Sequence, residues 1–369
     1  YSDNVTWPSS TVLIPEHLLT QFGDRAIIAR HYPGMKRWIN YMAGFIQDDL
    51  MPRDTYGDWC VPPEDPKLIH SQDPARKTHP TLLGTAYYYH CLNLMSRYAR
   101  MLGQLEDAGR FDELAARMKS AFNRRFLSPE SRHYDNGSQT SCVLPLAFNL
   151  VPATQRAALF EHLIEKITRE TRYHVGTGLI GGQYLMRTLT DGGRPDLAYT
   201  LASQRTYPSW GYMVEQGATT LWELWNGDTA DPAMNSGNHV MLVGDLLIWM
   251  YEYLAGIQAD PEQPGFKHIL MKPHPVGDLQ FVKATHRSPY GLIRSEWRRV
   301  PESFQWDLTV PVNTTATVYM PADDATRITV NGKPLRKARN LVAFLRMEGD
   351  YAILALGSGN YRLVSRDGR

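Results

Sequence analysis

Residues 253–266, with the sequence YLAGIQADPEQPGF, separate two parts of the chain whose apolar residues follow different periods. Before this stretch apolar residues recur at helical spacing, whereas after it they alternate with polar residues as in β-strands. Pro261 and the pair Pro264–Gly265 interrupt regular structure between the two parts. We therefore predict a helical domain over residues 1–262 and an all-β domain over residues 263–369.

The helical part contains about nine amphipathic segments joined by short connections, which is the pattern of consecutive helical hairpins. In one segment four apolar residues fall on a single helical face: Phe111, Leu114, Met118 and Phe122. The other predicted helices are Ser10–Phe22, Ala26–Ile46, Leu82–Leu102, Val143–Leu150, Thr154–Ile167, Gly181–Leu189, Asp196–Gln204 and His239–Leu254.

The longest apolar stretch, Val240–Ile257, contains the acidic residues Asp245 and Glu252. A membrane span of about 20 residues rarely carries two acidic side chains. We therefore predict a buried core helix in this stretch and no membrane span.

The second part shows short alternating runs such as Leu292–Trp297 and Thr315–Met320. Turn signals separate the runs at Ser288–Gly291, Asn331–Gly332 and Glu348–Asp350. Asn-Gly between apolar runs is a strong signal for a tight β-hairpin. We predict an antiparallel β-sandwich of about a hundred residues.

The composition is that of an ordinary globular protein, since 43% of the 369 residues are hydrophobic and 21% are charged. The 39 basic and 38 acidic residues leave a net charge of +1, which gives no general electrostatic reason to bind nucleic acid. The three cysteines are too few and too scattered for a disulfide framework or a zinc cluster. Nothing in the sequence assigns a compartment or an oligomeric state.

Three common site motifs are absent or lack their context. The stretch Gly176–Gly181 matches GxGxxG, but a dinucleotide site needs a preceding strand, and the surroundings are helical. We therefore interpret it as a tight loop between helices. The chain has no HExxH metal motif and no GxSxG nucleophile elbow, so we predict neither a metal site nor serine-hydrolase chemistry.

A stretch rich in aromatic residues and carboxylates, Tyr207–Gly227, carries the strongest functional signal. It contains Trp210, Trp222, Glu223 and Trp225, and its glycines and proline break any continuous helix. Aromatic faces can pack on a sugar ring, and a nearby carboxylate can bind hydroxyls or accept a proton from water. The alternative is that these tryptophans are core residues and Glu223 only holds a loop.

Two shorter stretches, Val5–Ser10 and Tyr56–Cys60, combine similar residue types with prolines nearby. His239 begins the apolar stretch described above, and we predict that it lies on the first helical turn. Asn235 or Ser236 is the predicted cap of that helix.

Several motifs, in their order along the chain, resemble the α-L-rhamnosidases of glycoside hydrolase family 78. Each motif is weak alone, but their number and order make the resemblance specific. The motifs are Tyr32–Trp38, Gly57–Trp59, Tyr207–Met213, Gly217–Glu223, Met234–Ser236, Asn238–His239, Leu254–Ile257, Ser288–Gly291 and Asn313–Ala316.

The resemblance implies a mainly α fold, an (α/α)6 barrel of six helical hairpins, followed by the β-sandwich. It also implies inverting hydrolysis of terminal α-L-rhamnosyl residues, a rhamnose-containing carbohydrate as partner, and no organic cofactor. By position in the motifs, Glu223 matches the general base that activates water. Trp7 and Trp59 match tryptophans that line the rhamnose pocket, and His239 matches a histidine that contacts the sugar.

The chain also departs from the family pattern. The family's acidic motif, of the type Asp-x-x-x-Arg-x-Glu-Arg, supplies the general acid and lies upstream of the position matched by Trp7. No stretch of this sequence matches it, and the predicted helices are fewer than the twelve that six hairpins need. We therefore expect the C-terminal part of a longer rhamnosidase, or the ordered part of one, with the general acid encoded before Tyr1. The segment from Glu223 to Met234 is also shorter than is usual in the family.

Three other functions stay open at this point. A carbohydrate-binding remnant would share the aromatic loops but hydrolyse nothing. Another helical-barrel glycosidase, acting on glucosides or uronides, would share the fold. A protein-interaction scaffold would have no affinity for sugars.

Overall fold

The structure is a computed structural model, and it describes residues 4–128 and 130–366. The chain forms two compact units. One contains the residues up to Ile14 together with Ala29–Leu246, and the other contains Pro15–Ile28 together with the residues from Leu247 onward. The predicted domain boundary between residues 262 and 263 stays a prediction.

Helices dominate the chain up to residue 249, as predicted. Neighbouring helices α3 and α4, α5 and α6, and α8 and α9 pack against each other as hairpins. The helices are α1 Ser10–Phe22, α2 Arg25–Ala43, α3 Pro80–Met101, α4 Leu105–Phe126, α5 Gln139–Ala147, α6 Ala153–Glu165, α7 Leu179–Gly182, α8 Leu185–Asp191, α9 Pro195–Ala202, α10 Trp210–Glu215 and α11 Leu246–Trp249.

Local sequence explains why two of these helices begin where they do. At the start of α3, the His79 Nδ1 atom accepts a hydrogen bond from the Thr81 amide at 3.1 Å, and Pro80 occupies the first turn. At the start of α5, the Ser138 hydroxyl accepts from the Ser141 amide at 3.2 Å. These caps fix the ends of the loops that reach the candidate site.

The amphipathic pattern of α4 is confirmed. Phe111, Met118 and Phe122 are buried on one face, with exposed fractions between 0% and 5%. Burial of such side chains contributes roughly 1.5–3 kcal/mol each, which is why an apolar stripe of this spacing determines the packing of a helix.

The prediction of one buried core helix over Val240–Ile257 is wrong. Gly244 has a φ of +55° and interrupts the stretch between a short 3-10 helix and α11. A Cβ at this position would lie 2.4 Å from the Gly182 carbonyl oxygen, so the backbones approach too closely for any other residue. Val240 and Leu247 are 71% and 55% exposed.

No helix within the described residues is both long and apolar enough to cross a membrane.

The second unit consists mainly of strands that form two sheets. A two-stranded hairpin, formed by β1 and β2, lies in the helical unit. The strands are β1 Leu127–Ser128, β2 His133–Tyr134, β3 Gln258–Ala259, β4 His268–Met271, β5 Phe281–Ser288, β6 Gly291–Val300, β7 Ser303–Val310, β8 Thr315–Pro321, β9 Ile328–Val330, β10 Lys333–Pro334, β11 Val342–Glu348, β12 Tyr351–Leu356 and β13 Gly359–Arg366.

One sheet has the strand order β10-β9-β13-β7-β6-β5, and the other has the order β11-β12-β8-β4-β3. All pairs are antiparallel except β4 with β8. The predicted hairpin turns are confirmed, because Ser288 pairs with Gly291 and Glu348 pairs with Tyr351. Strands of both sheets contribute to one apolar core, as the prediction of a β-sandwich requires.

Candidate active site

An aromatic cluster lies in the long loop between α2 and α3, together with the segment before α1. The ring centroids of Trp7 and Trp59 are 6.5 Å apart and their planes are nearly perpendicular. The Tyr56 ring lies 4.9 Å from Trp7, and the His70 ring lies 4.5 Å from Trp59. Tyr56, Trp59 and His70 line a cavity of about 540 Å³, large enough for a sugar unit with part of its leaving group.

Asp58 fixes the loop that carries Trp59. Its carboxylate accepts hydrogen bonds from the Gly178 and Ile180 amides at 2.8 Å, from the Gly181 amide at 3.2 Å and from the Thr140 hydroxyl. These amides stand at the start of α7, where backbone N–H groups lack partners within the helix. Burial raises the pKa of Asp58, and the four donors act against that rise.

The GxGxxG stretch is therefore a packing element. Its backbone amides bind the Asp58 carboxylate instead of a phosphate group. A Cβ on Gly178 would lie 2.2 Å from the Trp59 carbonyl oxygen, and one on Gly181 would lie 2.2 Å from the Thr140 hydroxyl. The glycines are needed because α7 packs directly against the loop that carries Trp59, and residues 171–178, which lead directly to α7, contain no strand.

Asp54 joins the two segments of the aromatic cluster. It is 2% exposed, and it lies within hydrogen-bonding distance of the Thr6 hydroxyl, at 3.4 Å. Its second carboxylate oxygen has no hydrogen-bond partner among the described residues. Burial raises the pKa of Asp54 to about 7, although donors on Thr6, Gly57 and Tyr56 lower it.

This raised pKa makes the stability of the protein depend on pH. In the unfolded chain Asp54 loses its proton near pH 3.9, whereas the folded protein keeps it up to about pH 7. The folded state therefore binds more protons between these values, and stability falls as the pH rises, by about 4 kcal/mol at most. We expect the melting temperature of Asp54→Asn, relative to wild type, to increase between pH 4.5 and pH 7.5.

Calorimetric unfolding of both proteins across that pH range measures this difference. The pH effects of the other titratable groups are common to both proteins and cancel in the difference. Asp65→Asn, at an exposed position of the same loop, should show a constant difference. Parallel curves for Asp54→Asn and wild type would contradict the prediction.

Glu223 lies in a loop after α10 and is half-buried. Its backbone amide donates to the Ser236 carbonyl at 2.9 Å, and its Oε2 atom accepts from the Ser236 amide at 3.1 Å. The negative charge of Glu223 acts on two residues of the loop that carries Trp59: it adds to the burial that raises the pKa of Cys60, and it acts against the burial that lowers the pKa of His70. Glu223 is thus near enough to act electrostatically on this loop, but it does not line the 540 Å³ cavity.

His239 is exposed and lies in the segment next to Glu223. Its amide donates to the Leu221 carbonyl at 2.8 Å, so residues 221–223 and 236–239 run side by side. The predicted cap is wrong: His239 itself caps the 3-10 helix Val240–Val243, because its Nδ1 atom accepts from the Met241 amide at 3.4 Å. Asn235 instead donates to the Gly227 carbonyl at 2.7 Å.

Other aromatic residues of the stretch Tyr207–Gly227 have packing roles. Trp210 and Trp225 contact each other edge to face at 5.6 Å, and the Trp210 indole donates to the Leu242 carbonyl at 2.8 Å. The Trp222 ring packs over Gly227, where a Cβ would lie 2.8 Å from it. These contacts agree with the interpretation of the three tryptophans as structural residues.

The structure thus brings Trp7 and Trp59 into ring contact, and it places His239 on the segment beside Glu223. Within the described chain, no hydrogen bond or ring contact joins His239 to either tryptophan. His70 is the residue that the sequence interpretation missed. In the sequence, only its position in the same loop as Trp59 distinguishes His70. A single sequence therefore gives no reason to prefer it over the other histidines, of which the chain has twelve in all.

The three cysteines are buried free thiols. Among the described residues, no group of three or more histidine, cysteine, aspartate or glutamate side chains is arranged to hold a metal ion.

Two family models match the chain. The bacterial alpha-L-rhamnosidase six-hairpin glycosidase domain matches residues 1–254, and the bacterial alpha-L-rhamnosidase C-terminal domain matches residues 256–334. The boundary between the two matches, at residues 254–256, coincides with the change from helices to strands.

Related proteins agree with these matches. The chain is 33% identical to an alpha-L-rhamnosidase of Streptomyces avermitilis, over 97% of its own length and 32% of the relative. It is 32% identical to an alpha-L-rhamnosidase of Formosa agariphila, over 95% of its own length and 37% of that relative. The chain therefore spans about a third of the length of these relatives.

Solved structures show the same fold. The Streptomyces avermitilis alpha-L-rhamnosidase complexed with L-rhamnose superimposes with a TM-score of 0.87 at 32% identity, covering 99% of this chain and 33% of the other. The alpha-L-rhamnosidase from Dictyoglumus thermophilum also gives a TM-score of 0.87 at 32% identity, covering 99% of this chain and 40% of the other. From the helical hairpins, the C-terminal sheets and these matches, the chain belongs to the bacterial α-L-rhamnosidase family.

Proposed function

We propose that the protein hydrolyses terminal α-L-rhamnosyl residues from rhamnosides, with inversion at the anomeric carbon, and that Glu223 is the general base. The observation that supports this most is the position of the Glu223 carboxylate beside the loop that carries Trp59, in a member of the α-L-rhamnosidase family. Trp7, Trp59 and His239 are the proposed sugar-binding residues.

In an inverting hydrolysis, a base and an acid act on opposite faces of the sugar and lie roughly 6.5–9.5 Å apart. The base removes a proton from the attacking water, while the acid protonates the departing oxygen. The Ser236 amide donates to the Oε2 atom of Glu223 at 3.1 Å. This contact orients one oxygen of the carboxylate, so the other can face the water.

We propose that neither Asp54 nor Asp58 is the general acid. Asp54 is 2% exposed and does not line the cavity, whereas Asp58 is 9% exposed and lines it. The Asp58 carboxylate is occupied by four donors. Their place in the loop supports a structural role for both.

The function is tested with a panel of aryl glycosides offered to the complete protein. We expect release of the aryl group from the α-L-rhamnoside and not from the α-glucoside, β-glucoside or β-glucuronide. The first sugar product, followed by NMR during turnover, should be the β-anomer. Preferred cleavage of a glucoside or a uronide would reject the substrate, and retention would reject the inverting mechanism. Binding of rhamnose without any hydrolysis would support the carbohydrate-binding alternative.

Trp59→Ala should weaken the binding of L-rhamnose. The indole lines the cavity, and removing an aromatic side chain that covers a sugar face costs about 1–3 kcal/mol. Isothermal titration calorimetry measures the change as a roughly 5- to 150-fold higher dissociation constant. Tyr41→Ala is the matched control, because Tyr41 is 50% exposed and does not line the cavity. Unchanged affinity in a folded Trp59→Ala variant would leave Trp59 with a structural role only.

A further inference from the structure

His70 lies in the loop 61–79, several residues of which line the 540 Å³ cavity. Its imidazole ring lies 4.5 Å from the Trp59 ring at an angle of 57°, and both side chains line the cavity. The residue is half-buried. Among the described residues, neither ring nitrogen of His70 has a hydrogen-bond partner. One donor and one acceptor are therefore free at the edge of the cavity.

The loop is held in place by residues that directly follow Glu223. The Asn226 side-chain amide donates to the Pro66 carbonyl at 2.8 Å and to the Leu68 carbonyl at 3.0 Å. The Thr229 hydroxyl also donates to the Pro66 carbonyl, at 2.7 Å. Asn226 is 1% exposed, so its two hydrogen bonds are partly buried, whereas the bond from Thr229 is exposed. The same short stretch thus positions the proposed base and the loop with His70.

The charges around His70 favour its neutral form. Burial lowers the pKa of His70 from 6.5, and the positive charge of Lys77 lowers it further. The negative charge of Glu223 acts in the opposite direction but does not reverse the shift. A neutral imidazole has one N–H donor and one nitrogen acceptor, which matches the two hydrogen-bonding roles of a sugar hydroxyl.

We propose that His70 is a sugar-binding residue, whose imidazole hydrogen-bonds a hydroxyl group of the rhamnosyl unit held against Trp59. This inference rests on the proposed function and adds a polar contact to it. The contact binds and orients the sugar, and no proton transfer to or from His70 is part of it. Polar contacts of this kind give a largely apolar pocket its specificity.

The test compares His70→Phe with wild type in the complete protein. Phenylalanine keeps an aromatic ring beside Trp59 but has no hydrogen-bonding atom. We expect the dissociation constant of L-rhamnose, measured by calorimetry, to rise about 5- to 10-fold, the effect of losing one hydrogen bond between neutral groups. For an aryl α-L-rhamnoside we expect a similar rise in KM with kcat within about twofold of wild type.

Two further variants separate binding from folding. His70→Gln keeps a donor and an acceptor and should restore part of the affinity. His31→Phe, at an exposed position of α2, is the matched control and should change nothing. Unchanged rhamnose affinity in a folded His70→Phe variant would overturn the inference.

The outcomes also distinguish this inference from the proposed function. If wild type hydrolyses the rhamnoside and His70→Phe binds L-rhamnose normally, only the role of His70 is rejected. If wild type binds and cleaves another sugar instead, and His70→Phe weakens that binding, the proposed substrate is rejected while the sugar contact of His70 is supported. If no sugar binds to wild type, both are rejected.

Discussion

Glu223→Gln is expected to lower the turnover of an aryl α-L-rhamnoside by about 10²–10⁴-fold, the usual contribution of a general base. Glutamine has nearly the same shape and can still accept from the Ser236 amide, but it cannot take a proton from water. Binding of L-rhamnose should therefore survive the change. Steady-state kinetics and calorimetry on the same preparation measure the two effects separately.

Glu215→Gln is the matched control for this experiment. Glu215 lies in the same part of the chain, but it is exposed and forms a surface ion pair with Arg205. Loss of this ion pair should leave turnover near the wild-type value, because exposed ion pairs contribute little to stability. Near-normal turnover of Glu223→Gln would remove this residue from the mechanism.

Asp58→Ala is expected to destabilise the helical unit by about 3–5 kcal/mol, because it leaves four buried donors without an acceptor. The contact between the Trp59 carbonyl and the Leu179 amide, at 2.7 Å, depends on the same packing. We therefore expect rhamnose affinity to fall together with stability. Urea unfolding, followed by tryptophan fluorescence, measures the loss.

A graded variant and a control accompany this change. Thr140→Val removes only one of the four donors and leaves the carboxylate, so its effect should be smaller than that of Asp58→Ala. Asp65→Ala, at an exposed position of the same loop, should stay within about 0.5 kcal/mol of wild type. If Asp58→Ala unfolds at the same urea concentration as wild type, the carboxylate does not hold α7 to the loop.

The fold was predictable from the sequence because its two parts obey different periods. The strand runs and their turn signals were located correctly, since alternation and an Asn-Gly pair depend on local sequence alone. The face of α4 was predictable for the same reason. The break at Gly244 was not, because it arises from close contact with Gly182, a residue far away in sequence.

The candidate site was predictable only in part. Aromatic and acidic residue types drew attention to Trp7, Trp59 and Glu223, but the same signal also included Trp210 and Trp225, which pack against each other. The role of Asp58 depends on the donors at the start of α7, and the raised pKa of Asp54 depends on its burial. Neither can be derived from residue types along one chain, because both result from tertiary contacts.

The two backbone hydrogen bonds that join residues 221–223 to residues 236–239 have an evolutionary consequence. They hold together the two ends of the segment 224–235. A third hydrogen bond, from the Asn235 side chain to the Gly227 carbonyl, joins residues within that segment. Insertions or deletions within this segment can therefore change its length and shape while the Glu223 backbone stays paired with Ser236. Variation in the length of this segment among relatives would then change the surroundings of Glu223 without displacing it.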